Sequence, residues 1–399
     1  IPRGSYWIKK EVNLEGDLPA LLLHTVGMRY TGRLHVQGGL SSSGARRAAI
    51  NVTAFASAHA TLDNSLTLAR VESGQGLHGL TLASDIKPWY DPANNIEVLI
   101  DIAIPDAPSN YTIDLASETL ELQLSDLGDL TSPSKDIMRE ISLHTRGARI
   151  ETGVSREVHS GECPSDIVLS CPQSLAATHA IRIHTGQELT ALGTYYAING
   201  TVDISGTRGI TNLGGVISRT INVDITSGAI IAQFLQAQDI QINTESAIVE
   251  AAVVPEDNVR AQSRTGGLSL KVILTNVRHA ANVSVVNILG EVDVRYQFQR
   301  ADKPLFSSIQ SRLGKVYVEH ARNFQGEVDL QQLTNGLITV SADSKERDLA
   351  SRDEPGLYRI FGRIWNKGHD PYGKGESGWG RSEVKTFSAP IYFVATAGP

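Results

Sequence analysis

The sequence predicts an all-β chain, folded as a parallel, β-helix-like solenoid. Three observations carry that reading. First, Ile181-Arg182-Ile183-His184, Val202-Asp203-Ile204-Ser205, Val223-Asp224-Ile225-Thr226 and Ile240-Gln241-Ile242-Asn243 each alternate apolar and polar residues. That is the period of a strand with one buried face. Second, the tetrads return about every 20 residues, the mark of stacked coils that bury together a face none could bury alone. Third, aromatics are 6% of 399 residues and Met only 2, in a chain rich in Val, Ile, Leu, Ser, Thr and Gly. Such a mix suits thin repetitive β-layers better than a helical globule. The alternative architecture is tandem β-sandwiches, but Asn-Gly hairpin signals occur only at Asn199-Gly200 and Asn335-Gly336.

Taken in order, residues 6–135 read as an N-terminal β-repeat region with an entry cap, 136–300 as the central solenoid, and 301–399 as a C-terminal β-repeat region with a Gly-rich loop. Ile1-Pro2-Arg3-Gly4-Ser5 resembles the remnant of a thrombin-site linker and, with no Met at position 1, leads us to expect a processed or truncated chain. In the first region Ile50-Asn51-Val52-Thr53, Leu66-Thr67-Leu68 and Ile96 to Ile102 alternate, and Pro105 ends the last of these. Pro88-Trp89-Tyr90-Asp91-Pro92 reads as a loop. Leu120-Glu121-Leu122-Gln123-Leu124 and Ile141-Ser142-Leu143 continue the ladder, which breaks at 154–178. Aligning the tetrads that follow sets Ile183, Ile204, Ile225 and Ile242 in one buried column and Arg182, Asp203, Asp224 and Gln241 in an outward row. Later strands include Val283-Ser284-Val285, Val292-Asp293-Val294 and Ile391-Tyr392-Phe393-Val394. Leu305, Phe306, Ile309 and Leu313 have the spacing of a short helix or, equally, of a strand. Charge-rich 342–356 reads as a loop, as does much of Gly-rich 366–383.

Composition narrows function. Net charge is −7 with Lys and Arg dispersed, so no basic patch points to nucleic acid. No apolar run is long enough to span a bilayer. Cys163 and Cys171 lie close together in an otherwise Cys-free chain and are expected to form a disulfide. Sequons stand at Asn51, Asn110, Asn199 and Asn282. Together these lean towards a secreted or cell-surface protein.

The run Ile96 to Pro105, Leu120-Glu-Leu-Gln-Leu124 and Ile141-Ser-Leu-His-Thr-Arg-Gly-Ala-Arg-Ile150 resemble adhesin-like domains of unknown function. Their cadence is a strand ending in Pro, then Thr/Ser-x-Gly-x-Ile, and Val223-Asp-Ile-Thr-Ser-Gly-Ala-Ile230 fits it well. Gly314-Lys-Val-Tyr-Val318, Asn323-Phe-Gln-Gly326 and Trp379-Gly-Arg-Ser-Glu-Val384 resemble the fungal members. The likeness spans about 90–395 and departs at Thr244-Glu245-Ser246, where Gly is expected, so an irregular turn is expected there. The resemblance implies a surface-exposed, non-enzymatic β-solenoid and carries no catalytic residues.

Candidate chemistry is sparse. His144, His159, His179 and His184 lack the convergent spacing of a metal site. No Gly-x-Ser-x-Gly elbow or phosphate loop occurs, and no cofactor is implied. Trp89, Tyr90, Trp365, Tyr372 and Trp379 fall in loop-like contexts, where they would either stack on sugars or plug the ends of the solenoid. Two readings follow. In the first the chain is a surface or adhesion module binding a polysaccharide or other cell-surface partner. In the second it is a carbohydrate-active lyase or hydrolase. Asp203 and Asp224, on neighbouring rungs, would then be its carboxylate pair, although a solenoid's solvent face must carry polar residues anyway and Arg182 can neutralise Asp203.

Overall fold

The computed structural model describes residues 6–14, 20–26, 30–37, 48–56, 67–72, 78–83, 96–104, 112–125, 138–153, 173–300, 302–334, 337–342, 345–366 and 379–395. Among them every regular element is a strand. The chain is all-β, and it divides into two compact units, Ile1–Ile217 and Ser218–Pro399.

Each unit is built from two parallel ladders, with the chain passing from one to the other. In the first unit one ladder runs through the strands His78–Ala83, Ala20–Val26, Thr112–Ser117, Met138–Thr145, Gln173–Thr185 and the end of Leu189–Gly206. The other runs through Ile96–Ala103, Tyr30–Gln37, Glu121–Ser125, Ile150–Gly153 and the start of Leu189–Gly206. Alternation is the cause. Leu23, Leu115, Leu143, Ile183 and Ile204 are in register on successive strands, and all are buried. Asn199-Gly200 makes no hairpin, because both residues lie within the Leu189–Gly206 strand.

In the second unit the strands Ala229–Thr244 and Ile248–Ser263 pair along their lengths and each contributes to both ladders. One continues through Ala281–Asn287, Leu305–Ser311, Gly380–Thr386 and Gly326–Gln332. The other continues through Leu268–Ile273, Val292–Gln297, Val316–Glu319, Ile391–Val394 and Ile338–Ser341. Ile242, Ala261, Val285, Ile309, Val384 and Leu330 form one inward column, each 0% exposed. The helical spacing of Leu305 to Leu313 is therefore overridden by burial of Leu305, Ser307 and Ile309 on one strand face.

Chain order and stacking order differ at one end of each unit. The coil Ala20–Val26/Tyr30–Gln37 lies between His78–Ala83/Ile96–Ala103 and Thr112–Ser117/Glu121–Ser125. The coil Gly380–Thr386/Ile391–Val394 lies between Leu305–Ser311/Val316–Glu319 and Gly326–Gln332/Ile338–Ser341. Antiparallel strands then close the outer edges. Ala48–Ala56 covers Ile96–Ala103 and is itself covered by Tyr6–Leu14. Leu357–Asn366 covers Gly326–Gln332, with Lys345–Glu354 outside it. The charge-rich stretch expected to be a loop is thus an edge strand; apart from the buried Lys345, its charges face water, where they block further pairing. Its turn is Pro355-Gly356, with Gly356 at φ 82° as a type II turn requires.

The corners explain the Thr/Ser cadence. Thr145 Oγ1 donates to the Ala148 carbonyl at 2.7 Å, Ser263 Oγ to Gly266 at 3.0 Å and Ser311 Oγ to Gly314 at 2.9 Å. Each buried hydroxyl spans three residues and satisfies a turn that would otherwise bury bare backbone. The corner at Thr244 is regular without glycine, since Thr244 Oγ1 accepts from the Ala247 amide at 2.6 Å. One alignment shifts. The Ser246 amide donates to the Thr226 carbonyl at 2.8 Å, which sets Thr244 level with Ile225 and Ile242 level with Val223. Ile225 and Ile242 are both buried but belong to adjacent columns, and Asn243, not Gln241, lies level with Asp224.

Candidate ligand groove

A groove of about 550 Å³ runs across the solvent face of the second unit, over four parallel strands. Register builds it. One outward row is Asn258, Asn282, Phe306 and Arg381. The next is Arg260, Ser284, Ser308 and Glu383. The two serines keep the floor low between longer neighbours, and Phe306 stands 43% exposed beside them. Exposed apolar side chains recur on this chain, Phe298 and Phe387 among them, and what distinguishes Phe306 is its place in a groove with polar neighbours.

The polar groups around the ring are held in place. Asn258 Nδ2 donates to Asp239 Oδ1 at 2.6 Å, and Asn282 Nδ2 donates to Asn258 Oδ1 at 3.1 Å. This ladder fixes both amides, and among the described residues no donor is directed at the Asn282 oxygen. With its amide turned to suit its neighbours, Gln262 accepts from Arg260 Nε and Nη2 at 2.8 and 2.9 Å. Lys385 Nζ lies 2.6 Å from Glu383 Oε1. Beyond the groove, Asp329 accepts from Arg359 Nε and Nη2, both at 2.7 Å, while Arg381 Nη2 stands 3.9 Å away. Burial pushes the Asp329 carboxyl up, but the hydrogen bonds from Arg359 and Gln331 outweigh it and hold the group below its ordinary value. The face thus offers an apolar ring with fixed donors and acceptors around it, which suits a ligand with both hydroxyls and an apolar face.

A second polar cluster lies on the first unit. His144 and His184 are in register on neighbouring strands, their rings stacked at 4.6 Å. His184 Nδ1 is 2.9 Å from Ser205 Oγ, and His24 Nε2 is 3.7 Å from Asp114 Oδ2. Burial and then the His184 charge push His144 below its ordinary value. Among the described residues no group of three or more His, Cys, Asp or Glu is arranged to hold a metal ion.

The residues singled out from sequence fall in both units and, in part, outside the described residues. Asp203 belongs to the first unit, half-buried and in register with Arg182, whose Nη1 lies 3.4 Å from Glu140 Oε2. Asp224 belongs to the second unit and is exposed. Trp365 is buried in the closing hairpin, where Nε1 donates to Glu346 Oε2 at 2.8 Å. Trp379 is half-buried, with the Arg363 guanidinium 5.9 Å from its ring centre. Trp89, Tyr90, Tyr372, Cys163, Cys171 and Asn110 lie outside the described residues. Asn51 is half-buried between two strands, Asn199 is exposed, and Asn282 lines the groove. Phe306, Arg260 and Asn258 escaped sequence reasoning. Phe306 gave one signal, an apolar residue next to the inward Leu305 that breaks the alternation, and Arg260 and Asn258 gave none.

No family model matches the chain, and no curated protein matches it. Three solved structures are similar. A proposed cell adhesion protein from Clostridium sporogenes is 9% identical, with 98% of this chain and 99% of that one covered and a TM-score of 0.23. A proposed adhesin from Bacteroides fragilis is 10% identical over 79% of this chain and 97% of that one, with a TM-score of 0.26. A proposed adhesin from Parabacteroides merdae is 9% identical over 79% and 95%, with a TM-score of 0.30.

Proposed function

We propose that this chain is a non-catalytic, adhesin-like module of the cell surface that binds a glycan along the groove of its second unit. The observation that carries the reading is Phe306, an exposed ring on a strand face, flanked by the Asn258–Asn282 amide ladder and the Ser284 and Ser308 hydroxyls. A sugar ring presents an apolar face to such a platform and hydroxyls to such a rim. The groove is open and on a rigid sheet, so binding needs little ordering of the protein. The test is a glycan array followed by titration of the best oligosaccharide. Phe306→Ala removes the platform on which the sugar would stack. It is expected to weaken binding by about tenfold or more, with the thermal midpoint unchanged. Unaltered affinity in that variant, or turnover of the glycan, would overturn the proposal.

A further inference from the structure

We infer that the glycan the groove is built for is acidic, a uronic-acid polysaccharide whose carboxylate docks on Arg260; the inference rests on the glycan reading above. The argument is one of charge left over. The carboxylates near the groove are engaged: Asp239 accepts from Asn258, Glu383 faces Lys385, and Asp329 holds Arg359 through both oxygens. Arg260 makes no ion pair among the described residues; its partner is the neutral Gln262 amide, which takes one hydrogen from Nε and one from Nη2. A guanidinium carries five such hydrogens, so three remain, in a planar fork that matches a carboxylate. Gln262 therefore acts as a positioning residue: it fixes the guanidinium without neutralising it.

Arg381 supplies a second cation at the other end. It stands 3.9 Å from an Asp329 carboxylate already committed to Arg359. Arg260 and Arg381 lie on the first and last of the four strands that carry the groove but in neighbouring outward rows, so they are about 16 Å apart along a diagonal at the usual strand spacing and rise. Between them lie Ser284, Ser308 and Phe306, which carry no charge. A chain of sugars laid diagonally over the strands, from Arg260 to Arg381, would meet a cation at each end and serine hydroxyls with an aromatic platform in the middle. The carboxylate that lines the groove, Glu383, is paired with Lys385 at 2.6 Å, and Asp239 beside it accepts from the Asn258 amide, so neither stands as a bare anion towards a uronate.

The experiment is a calorimetric titration of the full chain with oligomers of galacturonate, glucuronate and mannuronate, each paired with its carboxyl-reduced, neutral counterpart of the same linkage. The best acidic oligomer is expected to bind about tenfold or more tightly than its reduced counterpart, the range for a hydrogen-bonded charge pair. Its affinity is also expected to fall with added salt. Arg260→Gln should bring the two affinities within about threefold, and Arg260→Lys should restore only part of the difference, since a lysine lacks the fork. Thermal unfolding of each variant shows that the fold is kept. Equal affinity for acidic and reduced oligomers, or a preference that survives Arg260→Gln, would overturn this inference and leave the glycan reading standing. Binding of neither set, together with a blank array, would overturn both.

Discussion

Ser311 carries a corner of the second unit on one hydroxyl. It donates to the Gly314 carbonyl at 2.9 Å and accepts from the Gly314 amide at 3.1 Å, out of contact with water. Ser311→Ala leaves both backbone groups without that partner, and a loss of about 1–3 kcal/mol is expected in urea unfolding; an unchanged midpoint would show that the corner closes without it. Gly314 must stay small for a different reason, since a Cβ there would meet the Gly290 carbonyl oxygen at 1.6 Å. His320 is the second residue on which the unit depends. It is buried between Tyr296 and Phe324, with ring centres 4.8 and 4.0 Å away, and Nε2 lies 2.9 Å from Ser382 Oγ. Burial, then the nearby Lys345 charge, pushes it well below its ordinary value. The folded chain therefore keeps His320 neutral while the unfolded chain protonates it near pH 6.5. Its stability is fully present above that pH and declines below it, by up to about 1.4 kcal/mol per pH unit. Denaturant midpoints from pH 7.5 to 5 should show the decline in the native chain and a flatter slope in His320→Phe. Identical slopes would mean that another group sets the acid sensitivity.

At the scale of elements, the closing hairpin shows how the second unit ends its ladder. Three side chains pin it. Lys345 Nζ donates to the Phe324 carbonyl at 2.6 Å, Trp365 donates to Glu346, and Arg359 grips Asp329. Burial pushes the Lys345 ammonium down to about 8, so its contribution runs opposite to that of a surface lysine. Stability rises as the pH climbs from about 8 towards 10.5, where only the unfolded chain still holds the proton. Arg359→Ala would strand the Asp329 carboxylate, which is 8% exposed. The expected cost is about 2 kcal/mol or more, below that of a fully buried pair because Arg359 itself meets solvent. Hydrogen exchange should speed up first over 357–366, and uniform protection would argue that the hairpin is held by its backbone alone. Much of this element was hidden in the sequence. Lys345 to Glu354 has too few apolar residues to alternate, because beyond the buried Lys345 this edge strand mostly meets water on both faces and needs none. The Pro355-Gly356 pair was the readable signal.

At the scale of the whole molecule, the all-β class was legible from alternation alone, and Leu143, Ile183 and Ile204 occupy the inward positions that alternation assigned to them. What could not be read is which strand lies beside which. Gly380–Thr386 sits between Leu305–Ser311 and Gly326–Gln332, against chain order, and a period in sequence carries no trace of that insertion. The groove depends on it, because Arg381 and Glu383 reach the row of Phe306 and Ser308 only through the inserted coil. Single-strand patterns therefore marked the core but left the groove unmarked, since loop aromatics and a carboxylate pair carry the stronger signals in sequence. The most direct measurement is a crystal structure of the full chain with the oligosaccharide it binds most tightly. Sugar density is expected across the second unit, with one ring over Phe306 and hydroxyls within hydrogen-bond distance of Asn282 and Ser308. Sugar bound elsewhere on the chain, with an empty groove at saturating ligand, would contradict the proposal.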